Sequence, residues 1–215
     1  MMELSVEPGD RGPSASAIRW APRPTPEDDA AAKAAGMSEV RDLLQMQRPL
    51  PVGLAWSLQV RPFVVGQDED AWLRVNNRAF AEHPEQGAWD RAALEKVLAE
   101  PWFDPRGFLL HEIEGRLAGF CWTKVHPEER PPLGEIFVIA VDPDFGGRGL
   151  GHQLTLAGLD HLCAGGLTVG MLYVDATNDR ARRMYEELGF VVDHIHRGYS
   201  KPSRSQALGP QAHTD

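Results

Sequence analysis

Cysteine is scarce in this chain, and long apolar runs are missing. The two cysteines, Cys121 and Cys163, are each flanked by apolar residues, which favours reduced core thiols over a disulfide or a metal pair. No stretch approaches the roughly 18 consecutive apolar residues of a membrane span. Residues 1–20 carry acidic side chains where a signal peptide would have an apolar core. We therefore expect a cytoplasmic protein with no membrane partner.

Positive charge is also in deficit. The formal net charge is −9, so nucleic acids and anionic membranes would be repelled. One short basic group, Arg180, Arg182 and Arg183, has two interpretations: a solvated helix face or a contact to phosphates. With 42% hydrophobic residues, the chain can bury one full core. We expect small-molecule partners, no metal, and a monomer, with a dimer as the alternative.

Glycine is concentrated after one apolar strand. Residues 134–143 predict a buried strand, and Gly146, Gly147, Gly149 and Gly151 follow ahead of an apolar helical run. Glycines let the backbone approach a ligand, and the first N–H groups of a helix lack partners, so this pattern predicts a pyrophosphate site. The loop lacks the lysine of a Walker motif, and it fits a dinucleotide fingerprint poorly.

A second motif follows about 30 residues downstream. Residues 167–175 predict a strand, and Asn178 is placed to cap the next helix. The apolar residues of that helix, Tyr185 among them, follow helical spacing, and Gly189 closes it before a strand at 190–196.

These two motifs resemble motifs A and B of the Gcn5-related N-acetyltransferases. In that superfamily the loop Gln/Arg-x-x-Gly-x-Gly/Ala binds the pyrophosphate of acetyl-CoA; Gly149 and Gly151 match it, and Gly146 departs from its first position. The resemblance implies an α/β fold, with a mixed, mostly antiparallel sheet flanked by helices, and acetyl-CoA as co-substrate. It implies that acetyl-CoA contacts Ile139, Ala140, Val141, Gly146, Gly147, Arg148, Gly149, Leu150, Gly151, His152, Asn178, Asp179, Arg180, Ala181, Arg182 and Arg183.

Other strings, at 75–80, 83–87, 102–105 and 122–127, are similar to the mycothiol synthase family. They cover nearly all of the second half of that tandem enzyme. The resemblance implies transfer of acetyl from acetyl-CoA to the cysteinyl amine of the cysteinyl-glucosaminyl-inositol precursor of mycothiol in actinobacteria. Two alternatives stay open: an N-acetyltransferase for a peptide N-terminus or another small amine, and a non-catalytic acetyl-CoA-binding module.

The family resemblance also implies roles for five side chains. Glu135 would be the base that takes the amine proton, although a solvated residue at a strand start is the alternative. Tyr185 would protonate the CoA thiolate, although it could be a core aromatic with a wet hydroxyl. Glu85, Lys124 and Tyr173, together with Glu135, would bind the acceptor.

The chain divides unevenly. Residues 1–26, rich in proline and glycine, predict no regular structure, and 202–215 predict a disordered tail. A helix at 27–35 and a strand at 39–47 repeat the helix, glycine, strand order found around Gly189, so 27–50 reads as the remnant of a first repeat and a linker. If the remnant is dispensable, removing residues 1–50 should leave activity unaltered.

The acetyltransferase domain is predicted at 54–201. It would begin with a strand at 57–63, followed by helices at 68–81 and 90–100. A hairpin at 108–125 then leads into the glycine motif.

Overall fold

An eight-stranded sheet organises the chain. The computed structural model describes residues 18–81 and 88–201. In chain order the elements are β1 (Arg19–Pro22), α1 (Pro26–Ala34), β2 (Ser38–Pro49), β3 (Arg61–Pro62), α2 (Glu69–Ala79), α3 (Arg91–Leu98), β4 (Phe108–Ile113), β5 (Arg116–His126), β6 (Leu133–Val141), α4 (Leu150–Ala164), β7 (Val169–Asp175), α5 (Asp179–Glu187) and β8 (Val191–Ser200). The strand order is β1-β8-β2-β7-β6-β5-β4-β3, antiparallel except for the parallel pair β6 and β7. The predicted mixed, mostly antiparallel sheet is confirmed.

The N-terminal segment contains more regular structure than the sequence predicted. β1 pairs with β8 along an outer edge of the sheet, and Pro26 is the first residue of α1, where Thr25 and Asp28 form a capping box. The prediction of irregular structure through residue 26 is therefore wrong for β1 and for Pro26. Proline lacks an N–H group, but edge strands and first helical turns tolerate that loss.

β2 lies in the interior of the sheet. It pairs with β7 from Leu43↔Asp175 to Pro49↔Val169, and on its other side with β8. Leu44 and Met46 pack into the core beneath α4 and α5. The origin of α1 and β2 in an earlier repeat stays a prediction, but an interior strand is not a dispensable one.

The central elements follow the prediction with one exception. The helices predicted at 68–81 and 90–100 are α2 and α3, and Asp90 caps α3. The predicted strand at 57–63 is reduced to the two residues of β3, which pair with β4 at the far edge of the sheet. Pro62 cannot donate to a ladder, which limits pairing there. Before β3, the carbonyl of Gln59 lies 2.8 Å from Nδ1 of His111 instead.

Each face of the sheet carries its own core. On one face α4 and α5 pack over β2, β5, β6 and β7, and on the other α2 and α3 enclose an aromatic cluster centred on Trp72 and Trp122. Close approach fixes α4: a Cβ added to Gly158 would lie 2.5 Å from the sulfur of Cys121, and one added to Gly119 would lie 2.8 Å from Leu154. Within 18–81 and 88–201, no helix has the length and apolar character of a membrane span.

Candidate active site

A split in the sheet lies at its centre, between β6 and β7. The parallel ladder has three pairs, ending at Glu135↔Met171, whereas β6 continues to pair with β5 as far as Gly119↔Val141. One additional residue, Phe137, lies in β6 between the pairs Trp122↔Val138 and Thr123↔Ile136. Such a bulge increases strand twist and turns β6 away from β7. The β7-facing edge of residues 137–141 is thus left outside the ladder.

A groove of about 390 Å³ opens beside this split. Most of the predicted glycine loop lines it, together with Val141 at the end of β6 and Arg180 on α5. The lining residues of the loop and helix start are Gly146, Gly147, Gly149, Leu150, Gly151 and His152. Arg148 is exposed, and its guanidinium stacks over the ring of Phe145 instead. The predicted Ile139 and Ala140 lie fully buried in β6, at the split.

The start of α4 supplies donors to this groove. Gly149 precedes the helix with φ of 73°, and no side chain caps the first turn. The first N–H groups of this helix therefore remain available for an anion. A Cβ at Gly146 would lie 3.3 Å from the carbonyl oxygen of Pro143, so a larger residue there requires a small adjustment of the loop. These features fit a pyrophosphate.

Gly149→Ala is expected to weaken acetyl-CoA binding about tenfold. No atom lies within 4 Å of the added Cβ, so the change acts through its left-handed backbone, which costs roughly 1–2 kcal/mol in an L-residue. Gly53→Ala is a matched control because Gly53 has the same φ of 73° and equally open surroundings, but lies in the loop before β3. Titration calorimetry should show equal affinity for that control and the wild type. An equal loss of affinity in Gly149→Ala and Gly53→Ala would show that Gly149 has no particular role at the groove.

An ionic cluster holds the loop after β6. Arg78 of α2 bonds to Asp142 at 2.8 Å and to Asp144 at 2.8 Å, and Arg116 bonds to Asp144 at 2.7 Å. The hydrogen bond from Arg78, followed by that from Arg116, lowers the pKa of Asp144 to about 2. Asp144 therefore stays ionised across the neutral range, and the cluster ties the start of the glycine loop to α2.

The wall opposite the loop is one face of α5. Of the predicted residues 178–183, Arg180 lines the groove, and Met184 and Glu187 continue the wall one and two turns further on. Asn178 caps the helix by accepting from Ala181, Ala181 is buried in the core, and Arg182 donates to the carbonyl of Ala176. Asp179 and Arg183 are exposed outside the groove lining. Helical periodicity explains this, since consecutive residues cannot all face one groove.

Tyr185 lies on the same helix but faces the core. It is fully buried among the residues that α4 and α5 share with the sheet, and its ring contacts Phe190 edge-on at 5.6 Å. Within the described residues its hydroxyl has no hydrogen-bond partner. Burial raises the pKa of Tyr185 well above its ordinary value, and Cys121 adds to the effect. The phenol is therefore protonated at neutral pH.

Glu135 lies at the last rung of the β6–β7 ladder. It is fully buried, and its Oε2 lies 2.8 Å from Nε2 of His126 on β5. It points to the sheet face opposite α4, because its cross-strand neighbours are Lys124 and Met171. Its burial rules out the alternative of a solvated residue at a strand start.

Polar residues from three strands share this face of the sheet with Glu135. The ammonium group of Lys124 lies 4.7 Å from the ring centre of Trp102 and 5.4 Å from that of Phe137. Tyr173 accepts a hydrogen bond at 2.9 Å from Gln45 of β2. The structure thus brings Lys124, Glu135 and Tyr173 to one face, whereas Glu85 lies outside the described residues.

Several residues at this site were not predicted from sequence. Gln45 and His126 contact predicted residues across strands, and Met184 and Glu187 extend the groove. The helical period through Arg180 could have indicated Met184 and Glu187, but no local signal marks Gln45. In the part of the chain that the structure describes, no group of three or more His, Cys, Asp or Glu side chains is arranged to bind a metal ion.

Comparison with known proteins agrees with this geometry. Residues 70–190, more than half of the chain, match the acetyltransferase (GNAT) family model. The chain belongs to this family. Among its curated relatives, the mycothiol acetyltransferase of Thermomonospora curvata is 52% identical over 179 residues, covering 80% of this chain and 59% of the relative. The mycothiol acetyltransferase of Kocuria rhizophila is 45% identical over 221 residues, covering 90% of this chain and 73% of the relative.

Solved structures show the same fold. A GCN5-related N-acetyltransferase from Sphaerobacter thermophilus aligns with a TM-score of 0.62 at 22% identity, covering 86% of this chain and 60% of its own. The ribosomal-protein-S18-alanine N-acetyltransferase of Escherichia coli aligns with a TM-score of 0.52 at 23% identity, covering 71% and 99% respectively.

Proposed function

We propose that this chain transfers the acetyl group of acetyl-CoA to the cysteinyl amine of cysteinyl-glucosaminyl-inositol, forming mycothiol. The observation that carries the proposal is the position of Glu135, a buried carboxyl group at the split, on the face that also bears Lys124 and Tyr173. The relatives named mycothiol acetyltransferase, at 45–52% identity, support the choice of acceptor.

Acetyl-CoA would bind with its pyrophosphate at the start of α4 and its pantetheine arm along the open edge of β6. The thioester supplies the acetyl group. Edge N–H and C=O groups can bond an extended chain as an added strand would, and they can also hold the thioester oxygen. The thioester would therefore lie in the split, with Glu135 and Tyr185 approaching it from opposite faces of the sheet.

The two side chains would divide the proton transfers. As the acceptor nitrogen forms its bond to the acetyl carbon, Glu135 takes one N–H proton. As the carbon–sulfur bond breaks, Tyr185 gives its phenolic proton to the sulfur. Exchange with solvent then removes the proton from Glu135 and restores that of Tyr185. An α-amino group titrates near ~8, so a carboxylate is a sufficient base near neutral pH.

Acceptor recognition would rest on the polar face beside Glu135. Lys124 and Tyr173 can bond sugar or inositol hydroxyls, and Gln45 fixes the Tyr173 hydroxyl by donating to it. The predicted contact of Glu85 stays a prediction. This arrangement would select a polyol acceptor over a simple amine, since a buried polar group left unpaired is costly.

Acceptor discrimination tests the proposal directly. Purified protein is incubated with acetyl-CoA and with cysteinyl-glucosaminyl-inositol, cysteine, glucosamine or a short peptide, and the release of free CoA thiol is followed. The proposal predicts that kcat/KM is highest for cysteinyl-glucosaminyl-inositol. Equal values across the panel would favour a general amine acetyltransferase, and no thiol release with any acceptor would favour a binding module.

Tyr185→Phe is expected to lower kcat about a hundredfold without loss of stability. General acid catalysis contributes about 10²–10⁴-fold. Removing a buried hydroxyl that has no hydrogen-bond partner among the described residues costs little folding free energy. Tyr199→Phe is the matched control: its hydroxyl donates to Asp29 far from the split, so stability should fall while kcat is retained. Turnover assays and thermal unfolding of both variants separate the two effects. Unchanged kcat in Tyr185→Phe would remove it as the acid.

A further inference from the structure

His126 contacts the buried carboxyl group of Glu135, and the proton transfers proposed above do not involve it. Its Nε2 lies 2.8 Å from Oε2 of Glu135, and its Nδ1 lies 3.5 Å from Oε1 of Glu128. The ring is nearly buried, whereas the side chain of Glu128 is 68% exposed. An inner carboxylate, an imidazole and an outer carboxylate therefore form a line from the split to the surface.

The burial of Glu135 affects the charge state of its carboxyl group. A carboxyl group without water favours its neutral, protonated form, in which it cannot act as a base, unless an opposite charge is near. Both ring nitrogens of His126 face carboxylate oxygens, and only the doubly protonated imidazolium donates from both. The arrangement thus favours a positive charge beside Glu135.

Several other polar and charged groups lie around Glu135 and His126. Lys124, the cross-strand neighbour of Glu135, is another cation on this face, and its ammonium lies over the rings of Trp102 and Phe137. Glu128 has its pKa lowered, first by a hydrogen bond from its own backbone N–H and then by His126. The neighbours of Glu135 on β6 and β7 are the uncharged Leu133, Phe137 and Met171, and further along the same face lie Tyr173, Gln45, His194 and His196.

We propose that His126 is the positioning residue of the base: it holds one oxygen of Glu135 through Nε2–H, and its positive charge keeps this buried carboxyl ionised. Glu128 holds the outer nitrogen of the ring. This inference rests on the proposed function, because it assigns Glu135 the role of base.

Three variants separate the hydrogen bond from the charge. His126→Gln keeps an amide donor near the position of Nε2 but removes the charge, and His126→Phe removes both. We expect His126→Gln to move the acidic limb of the pH profile of kcat/KM to higher pH. Activity should fall roughly tenfold at pH 7 and largely recover in alkaline buffer, whereas His126→Phe should not recover. Glu128→Gln, at an exposed position, should move the limb in the same direction by less.

His111→Gln is the control for loss of a nearly buried histidine. His111 lies on β4, away from the split, and its ring contacts the carbonyl of Gln59, so the acidic limb should stay in place. An acidic limb that is unmoved in both His126→Gln and Glu128→Gln would overturn the proposal.

A direct measurement separates this proposal from the proposed function. Carboxyl ¹³C shifts of labelled glutamate, with Glu135 assigned through Glu135→Gln, report its protonation without turnover. If the wild type acetylates none of the acceptors and the Glu135 resonance still titrates at higher pH in His126→Gln, the proposed function fails and the pairing holds. If the wild type is active and the resonance titrates alike in both proteins, the pairing fails alone.

Discussion

Removing residues 1–50 is expected to unfold the protein. The deletion takes β2 from between β7 and β8, and with it the hydrogen-bonded ladders on both of its sides. β8 would lose its link to the rest of the sheet, because its other neighbour, β1, is removed as well. The two strands facing the gap would expose unpaired backbone groups, which also favours aggregation.

The magnitude follows from the buried side chains of β2. Leu43, Leu44 and Met46 are at most 7% exposed, and full burial of each such side chain contributes about 1.5–3 kcal/mol. Together they are comparable with the net folding free energy of a typical domain, about 5–15 kcal/mol. The hydrophobic loss alone therefore approaches the whole stability, before the ladders are considered.

Far-UV circular dichroism and thermal unfolding of the truncated chain provide the measurement. A point variant gives a milder test: Met46→Asp places a charge in the core, whereas Val40→Asp changes a residue of the same strand that is 49% exposed. The first should unfold or lose several kcal/mol, and the second should melt close to the wild type. A truncated chain that folds cooperatively and turns over at the wild-type rate would show that β2 is dispensable after all.

Glu135→Gln is expected to lower kcat/KM about a hundredfold or more while acetyl-CoA binding stays intact. The substitution keeps the shape of the side chain but removes its ability to accept a proton, and general base catalysis contributes about 10²–10⁴-fold. Affinity for acetyl-CoA should be unchanged because Glu135 does not line the groove that the glycine loop forms. Steady-state kinetics and calorimetry with acetyl-CoA test the two halves of this expectation.

The choice of glutamine matters. Glu135→Ala should also lower turnover, but it would leave His126 facing a cavity and reduce stability, so its loss of activity would be ambiguous. Glu112→Gln is the matched control, since Glu112 is an exposed partner of Arg61 at the sheet edge. Wild-type turnover in Glu135→Gln would show that Glu135 is not the base. The proposed acceptor site would then lose its main support.

Local signals in the sequence predicted local structure well. Asn178 caps α5, and the turn between β4 and β5 uses positive φ at Glu114 and Gly115. The glycines after β6 lie at the start of α4, where the unpaired N–H groups were expected. Each of these features depends on residues that are close together in the sequence, so a short stretch of sequence is enough to predict it.

Contacts between distant segments could not be predicted. Gln45 and Tyr173 meet because β2 and β7 are paired in one register, and a shift of one residue would turn Gln45 to the other face. His126 meets Glu135 for the same reason, through the register of β5 and β6.

The close packing of α4 against β5 fixes the position of the helix start that lines the groove. The helix is fixed by glycines that let it touch β5, so its amide donors are oriented before any ligand arrives, and little configurational entropy is lost on docking. These donors are main-chain groups, so a glycine at position 146 leaves them in place. A methyl group added at Gly158, by contrast, would lie 2.5 Å from the sulfur of Cys121, so the side chains beneath α4 or the helix itself would have to shift.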